Sequence, residues 1–120
     1  MIKDSNLPDS WYSQIEKTKE KSRKFLKKVV AVDLNGSILV GKLEDVSLDT
    51  LFKLKYPFCK LMLTNARKYN SNQKLEKKID GEQIAFANKP QMVMDMDELS
   101  KRYPEIHGDI HVEIRSGRFD

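Results

Sequence analysis

The chain is poor in the residues that carry most recognisable site chemistry. It has one cysteine, Cys59. A lone cysteine excludes an internal disulfide and any cysteine-based zinc spacing, and it fits a reducing compartment. Cys59 also sits inside an apolar alternation, so a buried, inert thiol is expected. The only two histidines are His107 and His111, with Gly108 between them. Alternation of Ile110, Val112 and Ile114 with Asp109, His111, Glu113 and Arg115 predicts a strand there. On a strand that spacing does not bring two imidazoles to one ion, so no metal site is expected. The five glycines never gather into a phosphate-cradling loop. Asp95, Asp97 and Glu98 have no nucleophile beside them. These absences predict a non-enzymatic chain without a cofactor. No apolar run is long enough for a membrane span and no leader pattern is visible, so an intracellular protein of nucleus or cytoplasm, without a membrane partner, is expected.

What the chain does have is charge. Charged residues make up 33% and hydrophobic residues 39% of 120, with a net charge of +4. That composition fits one soluble globular domain with a modest core, and it permits anionic partners. Met1–Leu7 has no periodicity and reads as a loose arm. Pro8, Asp9 and Ser10 offer a helix start. Trp11, Ile15, Thr18, Ser22, Phe25 and Val29 then recur at three- and four-residue spacing, which predicts a helix over residues 10–28 lying on one end of a sheet. Its other faces carry lysines, among them Lys24, Lys27 and Lys28. These are candidates for phosphate contact, or simply a solvated helix face.

The organising stretch is Val29–Leu54. Val30, Val32 and Leu34 alternate with Ala31 and Asp33. Asn35-Gly36 follows, a hairpin signal because both positions accept positive φ. Ile38, Val40 and Leu43 are then spaced around Gly41, and a glycine inside a strand marks a sharp bend or close backbone approach. A third run starts near Thr50 and is irregular past Lys53. Pro57 predicts a bulge or strand edge, and Cys59, Leu61 and Leu63 then resume the alternation. Residues 65–74 read as a polar turn holding Arg67, Lys68 and Tyr69, a basic and aromatic set of the kind that touches RNA. A fourth strand is expected over Leu75–Ile79, a turn at Asp80-Gly81-Glu82, and a fifth strand over Gln83–Ala87 with Ile84 and Phe86 inward.

Two separated segments resemble a known family. Leu34-Asn35-Gly36, then Gly41-Lys42-Leu43 and Val46, resemble the first motif of the Sm and Sm-like proteins. Ile79-Asp80-Gly81, then Ile84, Phe86 and Pro90, resemble the second. Gly36, Gly41, Leu43, Ile79 and Ile84 are the structural positions of that match. The resemblance covers roughly residues 29–90 and implies a mostly β fold. It would have an N-terminal helix and a small, strongly bent, five-stranded antiparallel Sm-like (SH3-like) barrel. It implies other Sm-like chains, the same or different, as partners, and RNA as a further candidate partner. In that family a loop residue stacks on a base, a loop asparagine bonds it, and an arginine before the second-motif glycine adds a contact. Those places fall on Ser47, Asp49 and Asp80, with Gly81 following, if Asp45–Asp49 is the loop. Ser47 offers no flat side chain, Asp49 lacks amide donors, and Asp80 puts an anion where the family has a cation. Stacking is worth about 1–3 kcal/mol per base, so the pocket is expected to be weakened.

Residues 1–90 therefore read as helix plus barrel, and residues 91–120 as a C-terminal extension. The extension holds a methionine alternation at Met92, Met94 and Met96, a short helix over Asp97–Tyr103, an extra strand, and a frayed end at residues 116–120. It is expected to cover an edge of the barrel or to dock a partner. Two functions stay open. One is an Sm-like subunit of an RNA-processing ribonucleoprotein that contacts RNA through its basic helix and loops. The other is an Sm-fold protein–protein assembly module with no RNA contact. A weaker likeness joins Asp45-x-Ser47, with Arg23 and Lys27, to the PilZ cyclic-dinucleotide domains, though Thr50 replaces their motif glycine.

Overall fold

The computed structural model describes residues 9–50 and 57–119. The expected arm at Met1–Leu7 and the irregularity past Lys53 lie outside the described residues. In chain order the elements are α1 (Asp9–Arg23), β1 (Val29–Asp33), β2 (Ser37–Thr50), β3 (Pro57–Asn70), β4 (Leu75–Lys78), β5 (Glu82–Ala87), β6 (Val93–Met94), α2 (Met96–Arg102) and α3 (Pro104–Arg115). The six strands form one antiparallel sheet in the order β4-β3-β2-β1-β6, with β5 also paired to β3.

The chain is thus mostly β with helices, and its sheet is open. No described strand pairs joins β5 to β6, so the closed five-stranded barrel expected from the sequence is not formed among the described residues. At Gly41 the backbones approach closely, one of the two outcomes expected of a glycine there. Opposite Gly41 the β2–β3 register slips between Val40 and Lys42, and it slips back between Leu43 and Asp45. The first slip puts an extra residue into β3, where Asn65 has φ 52. A Cβ on Gly41 would lie 3.0 Å from the Thr64 carbonyl oxygen and 3.2 Å from the Ala66 Cα. Only hydrogen fits that approach without a shift.

Successive strand residues point to opposite faces, and each face of the sheet carries its own core. Val30, Val32, Leu39, Leu43, Cys59, Leu61 and Leu63 are buried together on one face, with Phe25 and Ile79 packed against them. Ala31, Ile38, Val40 and Tyr69 are buried on the other, with Met94, Leu99, Ile106, Ile110 and Phe119 from the C-terminal helices. Burial on both faces explains why β1 is apolar along its middle rather than alternating. The extension at 91–119 is therefore built into the fold: β6 pairs with Ala31 and Val32, and α2 and α3 cover a face rather than an edge.

The α1 stripe holds at Ile15, Thr18 and Ser22, all buried. The two hydroxyls tolerate burial by donating to the carbonyls of Gln14 and Thr18 one turn back, at 2.6 and 2.7 Å. The helix is shorter than expected. It stops at Arg23, and Lys27 turns the chain at φ 66, its N–H donating to the Leu43 carbonyl at 2.7 Å.

Four expectations are corrected. The segment around Ile110 is helix, not strand: Ile106, Ile110 and Glu113 point inward at helical spacing, while Val112 and Ile114 stay exposed. In β5 the inward residues are Ala85 and Ala87, set by pairing opposite Leu61 and Cys59. Ile84 and Phe86 lie on the opposite face, half-buried, so Ile84 does not share the interior of Leu43. Residues 65–70 are strand, and only 71–74 form the turn. The C-terminal end is not frayed as far as Phe119, which is buried.

Candidate functional site

The two motif segments were expected to meet at a base-binding pocket. Asp45, Ser47 and Asp49 do not form a loop. They sit in β2, paired in register with Met62, Lys60 and Phe58. Ser47 is half-buried; the side chain of Asp49 lies outside the described set. Asp80 and Gly81 form the exposed turn into β5, with Gly81 at φ 77. That turn enters β5 at Glu82, opposite Thr64, whereas Ser47 is opposite Lys60. Four residues of strand separate these levels, roughly 13 Å at 3.3 Å per residue. The structure does not bring Ser47 and Asp80 together.

The basic and aromatic set is used internally. Arg67 is buried, donates to the Asn65 carbonyl at 2.7 Å, pairs with Glu113 at 3.5 Å and lies 4.1 Å over the Phe119 ring. Among the described residues its Nε has no hydrogen-bond partner. Tyr69 is buried with its hydroxyl donating to Asp109. Burial, reinforced by that carboxylate, pushes the phenol well above its ordinary value. Lys68 is half-buried, 3.9 Å from Glu76. Arg67 and Tyr69 are therefore withdrawn from any external ligand, because α3 and Phe119 close over this part of β3. No local pattern signals this, since the α3 segment reads as a strand.

Lys24, Lys27 and Lys28 do lie together, on the exposed turn between α1 and β1. Lys27 donates to Glu44 at 2.7 Å, and that bond, against a smaller cost of burial, holds the Glu44 carboxyl below its usual range. Lys28 borders a groove with Phe25, Val29, Asp95, Met96, Asp97 and Ile114. Two carboxylates in that lining make it mixed in charge.

Other polar groups act as fasteners. Asp33 accepts from the Asn35 N–H at 2.9 Å, the Tyr103 hydroxyl at 3.1 Å and Arg102 at 3.2 Å, tying the β1–β2 turn to the end of α2. Cys59 is buried, and burial pushes its thiol up. Among the described residues, no three His, Cys, Asp or Glu side chains converge where an ion could be held. No described helix is long and apolar enough to cross a membrane.

The strand edges are the remaining feature. Among the described residues, β5 pairs with β3 alone, and β2 beyond Leu43 pairs with β3 alone. Of the other edge strands, β6 is two residues long and buried, and β4 is four residues long, fully exposed, and carries Lys77 and Lys78 next to Lys74. Short, lysine-rich edges resist pairing with another chain. The β5 edge carries no lysine between Glu82 and Ala87. No protein-family model, no curated protein and no solved structure matches this chain.

Proposed function

We propose that this chain is a non-enzymatic, Sm-like assembly module that joins other Sm-like chains, or copies of itself, by strand addition at its β5 edge. On this reading the bent sheet is an Sm-like barrel left open between β5 and β6. The observation that carries the reading is the contrast between edges: β4 is guarded by lysines, while β5 offers a six-residue backbone edge flanked by half-buried Ile84 and Phe86. Sedimentation of the purified chain over a wide concentration range, alone and mixed with candidate Sm-like chains, tests it. Association that Ile84→Lys abolishes, with the circular dichroism spectrum unchanged, supports the module. A chain that stays monomeric with every partner tried overturns it.

The RNA-binding reading comes second, favoured by the cluster of Lys24 and Lys28 on one exposed turn. Its test is binding to uridine-rich single-stranded RNA across salt. If these lysines and Lys27 each neutralise a phosphate, reversing all three to Glu lowers the log–log salt slope by roughly 2. An unchanged slope removes the lysine turn from the reading.

A further inference from the structure

The sequence contains two imidazoles, and the fold puts both on one face of one helix. His107 and His111 are one turn apart on α3, with ring centres 5.9 Å apart and ring planes 20° from parallel. Neither imidazole has a hydrogen bond or ion pair among the described residues, and His111 is exposed. The objection that a strand would hold the rings apart disappears once the segment is helical. Histidines at i and i+4 on a helix are the pair that grips one zinc ion in metalloprotease helices. With nitrogen–metal distances of about 2.0–2.1 Å, two imidazoles sharing an ion have ring centres roughly 4.5–5.5 Å apart. The rings of His107 and His111, 5.9 Å apart, need only a small side-chain rotation to reach that span.

We propose that His107 and His111 form a two-imidazole site for a divalent transition metal of the zinc, nickel or copper class on the outer face of α3. Imidazole nitrogen suits these ions and not magnesium or calcium, which prefer oxygen ligands. Two imidazoles, with no third His, Cys, Asp or Glu converging on them among the described residues, make an open site: Asp109, between the two histidines, is held by the Tyr69 hydroxyl. Water fills the remaining positions.

The test uses the full chain without a histidine tag, titrated calorimetrically with nickel chloride, zinc chloride and magnesium chloride. One nickel or zinc ion per chain is expected, with no magnesium binding. His111→Ala weakens nickel binding by more than about tenfold, because the second imidazole acts at a high effective concentration. The substitution is at an exposed position, and an unchanged metal-free melting temperature confirms that it leaves the fold intact. Adding Val112→His to His111→Ala keeps two histidines but moves one ring about 100° around the helix. Val112 is 61% exposed, so the helix tolerates the change. No recovery of affinity is expected. Absence of nickel and zinc binding by the native chain, equal binding by His111→Ala, or full recovery in the shifted variant each overturns the proposal.

Discussion

Arg67 on β3 and Glu113 on α3 form an ion pair at 3.5 Å with both side chains more than nine-tenths buried. Glu113 also meets Arg118 at 3.1 Å and Lys78 at 3.4 Å, so one carboxylate serves three cations. Glu113→Gln leaves Arg67 buried without its counter-charge, and a loss of about 2–3 kcal/mol is expected. That is at or below the range for breaking a dry pair, because Lys78 and Arg118 stay in contact with water. Replacing both partners, as Arg67→Met with Glu113→Leu, costs less than Glu113→Gln alone. Urea unfolding of the two variants checks the order.

The same carboxylate makes stability depend on acid. Burial raises the Glu113 pKa, but the hydrogen bonds from Arg118 and Lys78 and the charges of Arg67 and Arg118 outweigh it and hold the value below the usual range. A carboxyl depressed in the folded state contributes fully above its unfolded pKa. It loses that contribution as pH falls through the folded value. Native chain and Glu113→Gln are therefore expected to differ most above about pH 5 and to converge as pH falls further. Thermal melting from neutral to acid pH measures this.

Tyr69 behaves in the opposite sense. Its phenol is raised by burial and by Asp109, so its contribution is complete below about pH 10 and fades as pH rises beyond that. Tyr69→Phe is expected to cost about 1–2 kcal/mol at neutral pH through loss of the bond to Asp109. The gap between the two proteins should close with alkali. A gap that stays constant from neutral to alkaline pH would show that the phenol ionises no later in the fold than in the unfolded chain.

Gly41 gives a packing prediction. Gly41→Ala places a methyl 3.0 Å from the Thr64 carbonyl oxygen and 3.1 Å from the Leu63 Cβ, against strand backbone that cannot swing aside. A loss of about 2 kcal/mol is expected. Gly36→Ala has open space around its Cβ but sits at φ 124, so its cost comes from backbone conformation alone. Chemical denaturation measures both, and trimming Leu63 to Ala is expected to recover nothing in the Gly41 variant, because alanine keeps the Cβ that the new methyl meets.

Local patterns were readable where one physical rule acted alone. The α1 stripe at Ile15, Thr18 and Ser22, the turn at Asn35-Gly36 and the close approach at Gly41 each follow from a local signal, and each is found. Reading failed where a distant partner changed the meaning of a residue. The helical stripe of α3 is Ile106, Ile110 and Glu113, and its third member looks polar until Arg67 is beside it. Ile84 and Phe86 look like core and Ala85 and Ala87 like filler, yet register with β3 decides which pair turns inward. Ser47 and Asp80 look like two halves of a pocket because sequence order says nothing of their separation along β3.

The amino-acid order thus determined the short-range features: where the first helix lies, where the hairpin turns and where two strands must approach closely, since each depends on neighbours within a few positions. Tertiary structure alone decided that α3 is a helix, that Arg67 and Tyr69 are interior, and that His107 and His111 share a face. Those outcomes depend on which surface closes over which, and burying Ile106, Ile110 and Phe119 against the second face of the sheet outweighs the local preference it overrides.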